Sequence, residues 1–125
     1  MKIVWDLDGT LFKDTGKDYD QTPAFTPLMK LCDELSTHGE IESICVTGRT
    51  SIPIECKYLF NISYCRNWEP KDWNQYYSQY FQWKVDTILK LQPELVFEDD
   101  QQICRYLTRK GISVVWTPMY AYMGT

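Results

Sequence analysis

The sequence predicts an α/β fold: a five-stranded parallel sheet with helices on both faces, a three-layer α/β/α sandwich. Two observations carry this. Short apolar, β-branched runs alternate with segments of helical period along the whole chain, and parallel strands need crossovers that are usually helices. The 125 residues are 44% apolar and 24% charged, enough for one core in one domain and unlike a disordered chain. There is no internal repeat, linker or low-complexity segment.

Residues 2–6 (Lys-Ile-Val-Trp-Asp) read as a buried strand. The polar stretch Lys13–Thr22 is a loop. Pro27 opens a helix with Leu28, Leu31, Cys32 and Leu35 on one face, and Gly39 stops it. Residues 43–46 (Ser-Ile-Cys-Val) form the second strand. Residues 51–60 predict a short helix, with Pro53 tolerated only near its first turn. Residues 62–66 are a weaker third strand. Pro70 begins a long helical region, with a possible break in its middle, that runs to about Leu91 and is ended by Pro93. Residues 95–98 are the fourth strand. Residues 100–110 are a helix with Ile103, Tyr106 and Leu107 on one face and Gly111 as its stop, and residues 112–116 are the fifth strand.

Composition excludes several functions. Thirteen basic residues against seventeen acidic ones give a net charge of −4, whereas proteins that wrap nucleic acid are usually basic. No apolar run approaches the ~18 residues of a membrane span, so no membrane partner is expected. The short apolar start, turning acidic at once, is no signal peptide, and the expected location is cytoplasmic. Five cysteines without a CxxC pair argue against a zinc knuckle or a disulfide framework and for reduced, buried thiols. The single histidine, His38, lies in a helix-end pattern rather than a catalytic one.

In parallel sheets of this kind the working groups stand at the carboxyl ends of the strands. The first strand ends in Asp6-Leu7-Asp8-Gly9-Thr10-Leu11. Carboxylates at i and i+2 of an extended chain point to one side, and their repulsion is relieved by a hard cation such as Mg²⁺. The second strand ends in Thr47-Gly48-Arg49, where a hydroxyl and free backbone N–H groups at a strand-to-helix junction can hold an anion. Capping of that helix by Thr47 is the competing role. The fourth strand ends in Glu98-Asp99-Asp100. If it stops at Phe97 the working pair is Glu98 and Asp99; if at Glu98, the pair is Asp99 and Asp100. Lys84 can project a positive charge to the same edge, although Lys71 and Lys90 lie in the same region. Together these residues supply acids for a cation, one acid free to attack, and a Thr and a Lys for a phosphoryl group.

Asp6-Leu7-Asp8-Gly9-Thr10-Leu11 resembles the DxDGT signature of the haloacid dehalogenase-like hydrolases, Val46-Thr47-Gly48-Arg49 their second motif, Lys84 the third and Glu98-Asp99-Asp100 the acidic fourth. The likeness covers residues 1–117. It implies a Rossmann-like phosphatase domain, with Asp6 the nucleophile that forms an aspartyl-phosphate and Asp8 the general acid and base. It further implies Mg²⁺ held among Asp6, Asp8 and the acids Glu98, Asp99 and Asp100, and Thr47 with Lys84 on the phosphoryl oxygens. Thr10, Gly48, Arg49 and Arg66 are the candidate substrate contacts.

About 16 residues separate Thr10 from the next helix and about 36 separate Thr47 from Lys84, too few for a separate cap domain. An open site is expected, its rim made by the loop Lys13–Thr22, Arg49, Arg66 and aromatics of the 58–83 stretch. Trp73, Tyr76, Tyr77 and Tyr80 follow helical spacing. They either pack, stack on bases or contact a second copy in a homodimer. Phe97-Glu98-Asp99-Asp100, followed by Ile103 and by Arg109-Lys110-Gly111-Ile112, is similar to the end of the phosphatase half of phage polynucleotide kinases, and no GxxxxGK[ST] loop of a kinase half is present. The expected substrate is therefore a nucleotide or a nucleic-acid end. The alternatives are a nucleotidase, a phosphatase of other small phosphate esters, and a non-catalytic binding module.

Overall fold

The computed structural model describes residues 1–15 and 21–117; the middle of the expected rim loop Lys13–Thr22 lies outside these residues. Five strands, β1 (Lys2–Trp5), β2 (Glu42–Thr47), β3 (Ile62–Cys65), β4 (Leu95–Glu98) and β5 (Val114–Trp116), pair in the order β3-β2-β1-β4-β5. Every pairing is parallel, with Val4 opposite both Ile44 and Val96. The arrangement is Rossmann-like, and it puts β1 at the centre, where its apolar residues have strands on both sides.

Alternate residues of β1 enter different cores, as the two-residue strand period requires. Ile3 and Trp5 pack with Leu28 and Cys32 of α1 (Thr26–Ser36), Cys45, Leu59 and Phe97. The Trp5 and Phe97 rings stack with centroids 4.2 Å apart. Val4 turns the other way, to Ile44, Val46 and Val96, against Val85 and Ile88 of α2 (Trp73–Leu91) and Ile103 and Leu107 of α3 (Gln101–Arg109). Burying each such side chain contributes ~1.5–3 kcal/mol, so both faces of the sheet are held.

Three elements differ from their sequence expectation in bounds or continuity, and a fourth, the expected short helix, is present as the 3₁₀ type. Residues Ile54–Leu59 form a 3₁₀ helix: Pro53 supplies the first carbonyl, to Cys56 N at 3.1 Å, and six residues are too few to repay an α-helical nucleus. Helix α2 is unbroken and starts at Trp73, three residues after Pro70. Asp72 caps it through Gln75 N at 2.8 Å, and Gln92 closes it in the left-handed region at φ 49°. Helix α1 ends at Ser36, before Gly39, because the Thr37 N–H bonds back to the Glu34 carbonyl at 3.3 Å, a tighter i−3 closure. His38 lies just beyond, its N–H donating to the Leu35 carbonyl. Strand β5 begins at Val114, because Ile112 N is used by the Leu107 carbonyl in the turn out of α3.

All five cysteines are free thiols, and four of them are buried. No helix among the described residues is long and apolar enough to cross a membrane. Between β2 and Lys84 lie only the 3₁₀ helix, β3 and the first turns of α2.

Candidate active site at the carboxyl edge of the sheet

Asp6 follows β1 directly, and its N–H extends the ladder to the Phe97 carbonyl at 2.9 Å. That bond fixes the backbone that carries the carboxylate. The side chain is 3% exposed, and both oxygens are engaged. Lys84 Nζ donates to Oδ1 at 2.5 Å and Thr10 Oγ1 to Oδ2 at 2.9 Å. Thr10 meets the Thr117 hydroxyl, also at 2.9 Å. The end of β5 thereby braces the loop that follows β1.

Lys84 comes from the middle of α2 and is fully buried. Burying an ammonium alone costs several kcal/mol. Besides Asp6, its Nζ faces Glu98 Oε1 at 2.8 Å and donates to the Tyr80 hydroxyl at 2.9 Å. Burial alone would lower the Lys84 pKa. The two carboxylates outweigh it and hold the pKa well above the ordinary lysine range.

Glu98 ends β4, fully buried. Its Oε2 accepts from Asp99 N at 3.1 Å and Asp100 N at 3.0 Å, which turns the chain into α3. Asp6, Glu98 and Asp99 each offer a carboxylate oxygen within 4.8 Å of one another. Burial, then the charge of Asp6, pushes the Asp99 pKa far up. The Glu98 pKa moves up for the same two reasons. Lys84 meets two of the three acids, and the raised pKa values of Glu98 and Asp99 mark a crowded hard-oxygen donor set, which fits a divalent cation of the Mg²⁺ kind able to displace their protons.

Gly9 permits this approach. Its φ is +84°, and a Cβ there would run into the Asp99 carboxylate. The loop beyond it returns, with Gly9 N bonded to Phe12 O at 2.7 Å and Lys13 N to Thr22 O at 2.8 Å.

Asp8 stands apart from the trio. Arg49 grips it, with Nη2 to Oδ1 at 2.6 Å and Nε to Oδ1 and Oδ2 at 3.0 and 3.1 Å. Arg49 is 2% exposed, while the Asp8 side chain is 29% exposed. Burial raises the Asp8 pKa, and Arg49 opposes that rise only in part.

Asp6, Asp8, Thr47, Gly48, Arg49, Arg66, Asp99 and Asp100 all line one cleft of about 650 Å³. Lys84 and Glu98 lie beneath it. Thr10 is buried and acts on Asp6 rather than facing the cleft. Asp100 Oδ1 accepts from Gln102 N and Ile103 N and so caps α3, apart from the acid trio. β4 ends at Glu98, yet the gathered pair is Glu98 with Asp99, so the register follows neither expected pairing fully.

Thr47 is buried at the end of β2, where its hydroxyl accepts from Arg49 N at 3.1 Å. No helix starts there, since bends separate Thr47 from the 3₁₀ helix. The expected strand-to-helix junction is thus a side-chain-closed turn. Arg66 donates to the Gly48 carbonyl at 2.9 Å and the Trp68 carbonyl at 2.8 Å, and pairs with Glu69 at 3.5 Å.

Thr117 was not singled out by the sequence, Asp14 entered only as part of the rim loop, and Tyr80 entered only as one of the helically spaced aromatics, not as a partner of Lys84. Tyr80 carried a usable signal, its i, i+4 spacing from Lys84. Thr117 carried one too, its place at a strand's carboxyl end. Asp14, in the polar loop, carried none.

Comparison with protein-family models and with curated proteins found no match to this chain.

Proposed function

We propose that the chain is a Mg²⁺-dependent phosphomonoester hydrolase of the haloacid dehalogenase-like kind, acting on a nucleotide or a nucleic-acid end. One observation carries the reading: Asp6, Glu98 and Asp99 converge within 4.8 Å at the floor of an open cleft, with buried Lys84 bridging two of them.

The reaction runs in two displacements. An Asp6 oxygen bonds to phosphorus as the ester P–O bond breaks, and Asp8 gives its proton to the leaving oxygen. Water then attacks the aspartyl-phosphate, Asp8 takes the water's proton, and inorganic phosphate leaves with the Asp6 carboxylate restored. Burial raises the Asp8 pKa, which favours the protonated form that the first displacement needs. Lys84 and Thr10 orient the nucleophile through its two oxygens. Thr47 and the turn at Gly48 are at hand for the phosphoryl oxygens. Asp6 and Asp99 would hold Mg²⁺, with Glu98 beneath them. When bound, the cation neutralises charge on the phosphoryl group.

Asp6→Asn tests the reading with p-nitrophenyl phosphate and Mg²⁺. The amide keeps the shape but cannot form the ester, so turnover should vanish while the fold persists. Wild-type turnover in the pure variant, with deamidation excluded, would sink the mechanism.

A further inference from the structure

The cleft is far larger than a phosphoryl group needs, and ~650 Å³ is the size of a small-molecule site. One wall is aromatic. Residues 73, 76, 77, 80 and 84 share one face of α2. The same face therefore sends Lys84 to Asp6 and lines the cleft with Trp73, Tyr76, Tyr77 and Tyr80. Tyr77 stands two turns from Lys84, ~10 Å of axial rise, and Trp73 one turn further.

These rings are ordered by one another. Tyr76 and Tyr80 stack at 5.7 Å, almost parallel, and Tyr76 meets Trp73 and Tyr77 edge-on at 5.8 and 5.4 Å. The Arg66 guanidinium lies over Tyr76 at 5.7 Å. Trp73 and Tyr77 nevertheless remain 73% and 64% exposed. Packing against the core therefore accounts for Tyr80 and leaves the two outer faces to a ligand.

Charge decides how long that ligand is. Among the described residues the cleft presents six carboxylates and two guanidiniums. Both guanidiniums are already paired, Arg49 with Asp8 and Arg66 with Glu69. A strand with repeated phosphates meets repulsion along this rim. A ligand with one phosphate, held at the cation-binding floor, avoids it.

We propose that the Trp73–Tyr77 face of α2 is a base-stacking subsite for a nucleoside monophosphate, and that the acidic rim excludes polynucleotides. The position of the phosphate rests on the phosphatase reading; the stacking does not.

Calorimetric titration separates the two, because it needs no turnover. In the Asp6→Asn chain with Mg²⁺ present, where neither ligand is consumed, AMP should bind at least about tenfold more tightly than ribose 5-phosphate, the worth of stacking one base. Trp73→Ala with Tyr77→Ala should erase that difference without weakening ribose 5-phosphate. Both positions are exposed, and Trp73→Phe should restore part of the preference and so exclude a folding defect. Equal affinity for AMP and ribose 5-phosphate overturns the subsite. A 3′-phosphorylated decanucleotide binding as tightly as AMP overturns the exclusion of strands. Loss of a dimer in the double variant, with AMP binding intact, reassigns the face to self-association and overturns the proposal. AMP preference, with a parent chain that hydrolyses no ester, would support the subsite and remove the phosphatase.

Discussion

Lys84 Nζ lies 2.5 Å from Asp6 Oδ1, and both side chains are withdrawn from water: one is fully buried and the other 3% exposed. The pair is the electrostatic keystone of the carboxyl edge, because Glu98 leans on the same ammonium at 2.8 Å. Lys84→Met keeps the length of the side chain and removes the charge. It leaves buried carboxylates unpaired, a loss on the order of 3–5 kcal/mol. Denaturant unfolding in EDTA should show that loss, and Mg²⁺ should recover part of it. A variant as stable as the parent in EDTA would show that the carboxylates do not depend on Lys84.

The acid trio also makes stability depend on pH. Burial and the charge of Asp6 raise Asp99, and burial raises Glu98 and Asp8. The folded chain therefore keeps protons that the unfolded chain releases at ordinary carboxylate values, ~3.9–4.3. Native protein binds more protons than unfolded protein above that range, so stability falls as pH rises. Lys84 does not offset this near neutrality. Its raised pKa gives stability that is complete below the unfolded lysine value and lost only as pH passes the folded one. In EDTA the melting temperature should drop between pH 5 and pH 8. Saturating Mg²⁺ should remove the drop, since it competes with the same protons. A melting temperature that rises with pH in EDTA contradicts the assignment.

Gly9 offers a test by steric means. A Cβ there meets Asp99, and the backbone is left-handed at φ +84°. Gly9→Ala should cost about 1–2 kcal/mol for the backbone. It should also displace Asp99 and weaken Mg²⁺ binding about tenfold or more. Gly39→Ala is the control, because nothing lies within 4 Å of its added carbon. Equal Mg²⁺ affinities in the two variants, by calorimetry, would remove Asp99 from the cation site.

What was legible in the sequence, and what was not, follows from the range of each interaction. β1 and the acids after it could be read because one run of five residues carries both burial and chemistry. The convergence of Asp6, Lys84 and Asp99 follows once the strands are parallel and the edge is known. The division of labour in Glu98-Asp99-Asp100 could not be read, since three similar acids differ only in which backbone N–H groups reach them. The Asp8–Arg49 grip was hidden by 41 residues of separation, and the Thr10–Thr117 contact by 107. Both needed the sheet order, β2 and β4 flanking β1 and β5 outside β4, before the partners could be named. The short helix expected in 51–60 is present, but its 3₁₀ type could not be read because its apolar spacing suits either helix type.

The Arg49 grip on Asp8 sets the last prediction. Arg49 lowers the Asp8 pKa, working against the larger effect of burial. Removing the guanidinium leaves burial and the neighbouring charges of Asp6 and Asp14 unopposed, so the Asp8 proton should be held to higher pH. In the proposed reaction Asp8 must be protonated for the first displacement, and its loss of that proton forms the alkaline limb of the rate profile. Arg49→Gln retains a planar, hydrogen-bonding group close to the carboxylate. Its kcat/KM should be lower overall, and its alkaline limb should lie at higher pH than the parent's. Rate profiles from pH 5 to 9 with an alkyl phosphate, whose leaving oxygen needs the proton, read both effects at once. A lowered rate with an unmoved limb would mean that Asp8 is not the group whose proton reaches the leaving oxygen.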